Sequence, residues 1–168
     1  MSQGSVVVIG LDPGSRVTGY GIVRESSGQA ELVTTGVIRT PAGKDMGTRL
    51  GVIYTRLAEL ITAHDPAEAA IENVFVSKNP SSALKLGQAR GAAMAACATH
   101  GLSVAEYEPS KVKKNLVGVG GAPKDQVAFM VARCLGIKKP DWPEDASDAL
   151  AVAICHLNER RMRRLIGG

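Results

Sequence analysis

Four of the sixteen acidic residues of this chain lie in segments that are otherwise apolar. Asp12 ends a run of β-branched residues, Glu72 lies late in the apolar segment 67–75, and Asp145 and Asp148 stand three residues apart near the start of the last helical segment. Residues at that spacing share one face of a helix. If the first and fourth strands are neighbours and the helix crosses their ends, all four carboxylates meet. Such like charges would be strongly destabilising without cations, and oxygen-only ligands suit Mg²⁺ or Mn²⁺. The pattern therefore predicts a divalent-metal site.

Each of these acidic residues also has an ordinary structural explanation. Asp12 could hydrogen-bond the Pro-Gly turn that follows it. Glu72 could end its strand at solvent, Asp145 could interact with a helix dipole, and Asp148 could pair with a buried lysine. Each alternative is plausible separately, but four coincidences are less expected than one shared site.

Apolar periodicity divides the chain into strands and helices that would position these residues. Three consecutive strands, interpreted as an antiparallel meander, are expected at 6–12, up to residue 23 and at 32–38. A strand at 67–75 lies between helices at 47–64 and 81–100, which is the alternation of a layered sheet. A short strand at 103–106 and helices at 109–117 and 124–135 follow. The last helix is expected to open on a capping box of Asp141 and Glu144 and to end at about Met162.

Length and composition favour a single α/β domain over residues 1–168, with 45% hydrophobic residues. No apolar run is long enough to cross a bilayer and no secretion signal is present, so we expect a cytoplasmic protein without membrane contact. Cys97, Cys134 and Cys155 suit reduced core thiols. The formal charge of +4 permits a nucleic-acid partner, and the arginine-rich residues 159–168 are interpreted as a flexible basic tail.

Three further features are interpreted without a specific function. The helix at 81–100 is rich in small residues, so it is either a buried core element or a subunit interface. The glycine-rich segment 118–123 lacks the ending of a nucleotide P-loop and is interpreted as a mobile loop. The histidines have no nearby partner motif and are interpreted as ordinary surface or core residues: His64, His100 and His156.

Five motifs in order resemble the RuvC family of crossover junction endodeoxyribonucleases. They read IGLDPGSRVTGYG at 9–21, AIENVF at 70–75, SALKLGQARG at 82–91, VKKNLVGVGGAPKDQV at 112–127 and DASDALAVAICH at 145–156. The resemblance covers nearly the whole chain, and it implies a ribonuclease-H-like fold, a five-stranded mixed sheet flanked by helices on both faces.

The resemblance also implies a metal-dependent nuclease site. The catalytic residues and metal ligands would be Asp12, Glu72, Asp145 and Asp148. They would bind two Mg²⁺ ions per subunit, with Mn²⁺ as the expected substitute and no other cofactor. In such a site one cation lowers the pKa of an attacking water and the other steadies the leaving 3′ oxygen, which gives 5′ phosphate and 3′ hydroxyl products. Asp12 is expected to bridge the two ions, because the end of a strand holds it rigidly.

Contacts with DNA and with protein partners follow from the same resemblance. Phe75 looks like the family's aromatic residue that stacks on bases, and Lys113 and Lys124 fall where the family places lysines that contact phosphate. The helix carrying SALKLGQARG would form a homodimer, whose two-fold symmetry matches a four-way (Holliday) junction cut by paired symmetric nicks. The family further implies a role in recombination and DNA repair and a branch-migration complex of RuvA and RuvB as partner.

Two other classes of function remain open from the residues. The turn after the first strand and the segment Thr18-Gly19-Tyr20-Gly21 also resemble the phosphate hairpin of actin-like ATPases and sugar kinases. Those enzymes grip a nucleotide between two lobes, and this chain is too short for a second one. A junction-binding protein without nuclease activity is the other alternative, against which the four carboxylates argue.

Overall fold

Five strands form one mixed β-sheet in the computed structural model, which describes residues 4–73 and 79–167. They are β1 (Val6–Asp12), β2 (Val17–Ser26), β3 (Gln29–Arg39), β4 (Glu68–Glu72) and β5 (Ser103–Tyr107), arranged in the order β3-β2-β1-β4-β5. The first three strands pair antiparallel, and β4 lies parallel to both β1 and β5. The predicted meander and five-stranded mixed sheet are confirmed. The carboxyl ends of β1 and β4 therefore lie side by side, as the predicted acidic cluster requires.

Helices cover both faces of this sheet. The described residues form α1 (Met46–His64), α2 (Pro80–Thr99), α3 (Pro109–Val117), α4 (Lys124–Cys134) and α5 (Glu144–Gly167). Alternate strand residues point to opposite faces. Ile9 packs in a core with α1 and α2, whereas Val8 packs in a second core with α3, α4 and α5. The predicted α/β architecture with helices on both faces is confirmed.

Helix α5 lies unusually close to the sheet because glycines occupy the strand positions beneath it. Gly10 pairs with Gly21 and Asp12 with Gly19 across β1 and β2. A Cβ atom added to Gly10 would lie 2.2 Å from the carbonyl oxygen of Ala149, and one added to Gly19 would lie 1.9 Å from that of Asp145. Only hydrogen fits at these positions, so the glycines allow the start of α5 to approach the end of β1.

The far part of α5 is held to the sheet by a polar network. The buried ring of His156 has Nδ1 2.7 Å from the Tyr107 hydroxyl and Nε2 2.5 Å from a carboxylate oxygen of Glu68. Nε of Arg160 donates to the other Glu68 oxygen at 2.8 Å. Burial raises the pKa of Glu68, but the hydrogen bonds and charges of Arg160 and His156 outweigh it and lower the pKa below 4.5. His156 is thus a core residue with a structural role, in agreement with one of the two interpretations given for the histidines.

Two predictions about α5 are wrong. Asp141 lies three residues before the first helical residue, and the carbonyl oxygen of Pro143 accepts the hydrogen bond from the Ser147 N–H, so no capping box forms. The helix also continues past Met162 to Gly167, so the residues of the expected tail at 159–168 are largely helical. Besides Arg160, Arg161 binds a carboxylate of the sheet, that of Glu25 at 3.0 Å, which holds this end of the helix in place.

The structure bears on the predictions for the three cysteines and for helix α2. Cys97 and Cys155 are buried free thiols as predicted, but Cys134 is exposed, because it lies at the end of α4 on the side away from the core. In α2 the buried residues lie from Ala89 onwards, whereas Leu84 near the start of the helix is 65% exposed. The first half of α2 therefore keeps the interface alternative open. No helix of the described residues is long and apolar enough to span a membrane.

Candidate active site

Three carboxylates meet where the end of β1 faces the first turns of α5. Oxygen atoms of Asp12, Asp145 and Asp148 all lie within 4.8 Å of one another, and each residue is partly buried. Asp12 is the last residue of β1, and the other two share one face of α5. The structure therefore brings together these three of the four predicted ligands.

Glu72 lies beside this group on the neighbouring strand. It is the last residue of β4, which runs parallel to β1 with Ile71 opposite Leu11. It falls outside the group whose oxygens approach within 4.8 Å, but its charge raises the pKa of Asp12, and the charge of Asp148 raises the pKa of Glu72 in turn. The fourth predicted carboxylate thus belongs to the same electrostatic cluster, at its edge.

The cluster is electrostatically unfavourable as it stands. Burial, followed by repulsion from Asp148, Glu72 and Asp145, raises the pKa of Asp12 from 3.8 to about 7. Burial is also the largest cause of the raised pKa values of Glu72 and Asp148. A divalent cation would remove this repulsion, and carboxylate oxygens are the ligands that Mg²⁺ and Mn²⁺ prefer. The donor set therefore fits a hard divalent metal ion.

Two lysines predicted to contact phosphate lie against the carboxylates. Nζ of Lys124, the first residue of α4, lies 2.6 Å from a Glu144 oxygen and 3.6 Å from an Asp148 oxygen. Lys113 of α3 lines a cavity of about 120 Å³ together with Glu72, Lys124 and Asp148, and its charge offsets part of the rise in the pKa of Glu72 that burial and Asp148 cause. The lysine found near Asp148 is 70% exposed, so it is not the buried partner considered as an alternative.

The turn after Asp12 is held by Thr18, which the sequence had placed only in a possible phosphate hairpin. The buried Thr18 hydroxyl donates to the carbonyl oxygen of Gly14 at 3.1 Å and accepts from the Gly14 N–H at 3.3 Å. This closes the turn between β1 and β2 and leaves the Asp12 carboxylate facing α5. The glycines at alternate positions in the second strand, Gly19 and Gly21, together with Gly10 in the first, were the signal in the sequence for the close approach of this helix.

The remaining predicted site residue is Phe75, which lies outside the described residues. Strand β4 ends at Glu72, three residues before it, rather than near residue 75.

Comparisons with known proteins agree on one family. A family model described as crossover junction endodeoxyribonuclease RuvC matches residues 8–156. The protein of that name from Solidesulfovibrio magneticus is 62% identical, covering 99% of this chain and 98% of its own, and that from Oleidesulfovibrio alaskensis is 60% identical over both full lengths. The structure of Thermus thermophilus RuvC in complex with a Holliday junction substrate superposes with a TM-score of 0.88 at 35% identity, covering 94% of this chain and 96% of that one.

Proposed function

Since this chain belongs to the RuvC family of crossover junction endodeoxyribonucleases, we propose that its acidic cluster cuts four-way DNA junctions by metal-dependent hydrolysis. The observation that carries this proposal is the convergence of Asp12, Asp145 and Asp148 within 4.8 Å, with Glu72 beside them. Structural carboxylates are seldom grouped in this way without a neutralising partner. The activity belongs to recombination and DNA repair, and residues 1–168 act as one nuclease domain.

Four carboxylates would hold the metal: Asp12, Glu72, Asp145 and Asp148. We propose two Mg²⁺ ions per subunit, with Mn²⁺ able to replace them. When bound, the ions lower the pKa of a water molecule and stabilise charge on the leaving 3′ oxygen, so that the products carry 5′ phosphate and 3′ hydroxyl groups. Asp12 would be the ligand shared by the two ions, because the rigid strand end and the turn closed by Thr18 fix its position.

The lysines position the phosphate that is cut. Lys124 pairs with Glu144 and Asp148. If Asp148 were to bind a metal ion, this ammonium group would be available to bind a phosphate oxygen beside the cluster. Lys113, which lines the same small cavity, supplies a second positive charge next to Glu72.

The partners of the active site extend the proposal beyond one subunit. A homodimer, formed through the exposed first half of α2, places one site on each of two opposed strands. Phe75 would stack on a base near the cut. The branch-migration complex of RuvA and RuvB and a cytoplasmic location remain predictions from the family resemblance and from the sequence.

A synthetic four-way junction tests the proposal directly. The full chain is incubated with the junction, with and without Mg²⁺, and both strands are read for nicks. We expect paired nicks at symmetric positions only with Mg²⁺, and binding without cleavage by Asp12→Asn. Binding without nicks by the unaltered chain in Mg²⁺ would instead identify a junction-binding protein, and ATP binding without DNA cleavage would favour the ATPase alternative.

A further inference from the structure

Three arginines surround a cavity at the same end of the sheet as the acidic cluster. Arg16, Arg39 and Arg49 line a cavity of about 540 Å³ together with Thr40 and the residues of 41–43. We call this cavity the arginine pocket. Arg16 and Arg39 are exposed, and Arg49 is partly buried.

Hydrogen bonds fix the walls of the arginine pocket. Arg49 donates from Nη2 to the carbonyl oxygen of Ser15 at 2.5 Å and from Nε to the Thr40 hydroxyl at 3.3 Å. The Thr40 hydroxyl donates to the same Ser15 oxygen at 2.7 Å, and the Thr40 N–H donates to the carbonyl oxygen of Arg16 at 3.0 Å. The start of α1, the end of β3 and the turn after β1 are thus tied together, which gives the pocket a defined shape.

The positive charge of the arginine pocket is not neutralised by the protein. No acidic side chain lines it, and none of its three arginines makes an ion pair within residues 4–73 and 79–167. The acidic residue at the start of α1, Asp45, is bound to the N–H and hydroxyl of Thr48. Three guanidinium groups around one cavity attract an anion, and planar guanidinium groups bind phosphate oxygens with two parallel hydrogen bonds.

The arginine pocket lies within a few nucleotides' reach of the acidic cluster. Arg39 pairs with Val17 across β2 and β3, while Asp12 pairs with Gly19 across β1 and β2. Arg39 is therefore two strands away from Asp12 and two residues further along, which is roughly 12 Å between Cα atoms at ordinary strand spacing and rise. A DNA strand held at the carboxylates can pass over the pocket.

We propose that the arginine pocket binds a backbone phosphate of the strand that is cut, a few nucleotides from the scissile phosphate, through Arg16 and Arg39. This proposal rests on the proposed function, since it takes the acidic cluster as the cutting site. Arg49 holds the pocket in shape through Ser15. Phosphate contacts of this kind fix the register of a protein on DNA without reading its sequence. The pocket would thus place the strand over the carboxylates.

The salt dependence of junction binding measures such contacts. Binding of a synthetic four-way junction is measured between 50 and 200 mM salt, with Ca²⁺ replacing Mg²⁺, for the unaltered chain, Arg16→Gln, Arg39→Gln and the double variant. Each lost phosphate contact lowers the slope of log affinity against log salt by about 0.9, or about 3.5-fold in affinity change over this range. Because both arginines bind the same phosphate, the double variant should lose about 0.9 of slope and each single variant less than that.

Two further variants separate the pocket from net charge. Arg24→Gln removes one exposed charge from the other end of β2 and should leave the slope unchanged. Arg39→Lys retains the positive charge, so its slope should be close to that of the unaltered chain. In addition, single phosphates near the cut can be replaced in turn by an uncharged methylphosphonate. At one position the replacement should weaken binding by the unaltered chain, and at that position it should have no effect on binding by the double variant.

The outcomes distinguish this inference from the proposed function. Cleavage in Mg²⁺ by the unaltered chain, with equal slopes for it and the double variant, would overturn the arginine pocket while the nuclease stands. An equal loss of slope in Arg24→Gln would also overturn it, since the effect would then reflect total charge. If the unaltered chain neither binds nor cuts the junction, the proposed function itself fails.

Discussion

Replacing Asp12 by asparagine should abolish cleavage and at the same time stabilise the metal-free protein. The two side chains have nearly the same size, but asparagine carries no charge. The substitution therefore removes one of the carboxylates that repel one another at the end of β1 and leaves the packing against α5 intact. A stabilising substitution at a catalytic position is expected when the site is built from strained electrostatics.

The magnitude follows from the pKa of Asp12. Burial and the neighbouring carboxylates raise this pKa from 3.8 to about 7. Because the pKa is higher in the folded protein than in the unfolded chain, the folded state binds more protons, and stability is lost as the pH rises. At about 1.4 kcal/mol per pKa unit, the expected cost to the unaltered protein is up to about 2 kcal/mol at pH 5 and about 4 kcal/mol at pH 8. Asp12→Asn avoids this cost.

Urea unfolding in EDTA at pH 5 and pH 8 measures the effect. The advantage of Asp12→Asn over the unaltered chain should grow between the two pH values, and Mg²⁺ should raise the Tm of the unaltered chain but not of the variant. Asp141→Asn, an exposed position outside the cluster, serves as the matched control and should change stability by less than about 0.5 kcal/mol. Equal stability of Asp12→Asn and the unaltered chain at pH 8 would refute the reasoning.

Three other substitutions test separate parts of the structure. Phe75→Ala should slow junction cleavage with little change in Tm, since base stacking contributes roughly 1 to 3 kcal/mol per base; a sharp fall in Tm would indicate a core aromatic instead. Gly19→Ala should lower the free energy of unfolding in urea by at least about 3 kcal/mol and abolish cleavage, because the added Cβ would overlap the α5 backbone. Gly51→Ala, at an open helical position, should leave the free energy of unfolding unchanged or raise it. Arg160→Gln should destabilise the protein at neutral pH but much less near pH 3. The lowered pKa of Glu68 contributes stability that is present above about pH 4.5 and lost as the pH falls. A loss of unfolding free energy that is the same at both pH values would contradict this role.

The local elements and the acidic cluster were predictable because burial imposes simple patterns on sequence. Strand and helix periodicities gave the meander and the layered sheet. Asp148 was identifiable because it is surrounded by apolar helix residues, and Asp12 because it ends a buried strand. These signals are local, so a single sequence contains them.

Features that depend on contacts between distant segments were not predictable in this way. The capping box at Asp141 matched a local pattern, but the helix begins later, at Glu144, whose carboxylate binds Lys124 on another helix. The length of α5 was underestimated because its arginine-rich end has the composition of a solvated tail. In the structure two of these arginines pair with Glu25 of β2 and Glu68 of β4, which no local pattern in the sequence reveals. The arginine pocket joins residues from three elements and leaves no pattern along the chain.

Helix α5 contacts both ends of the same short strand, through bonds at one end and within the acidic cluster at the other. Glu68 opens β4 and binds His156 and Arg160, while Glu72 closes it beside Asp148. The helix cannot slide along its axis without breaking the first set of bonds. Substitutions more than two helical turns from the acidic cluster can therefore change its geometry. If a substitution at Arg160 let α5 shift slightly along its axis, Asp145 and Asp148 would move out of alignment with Asp12.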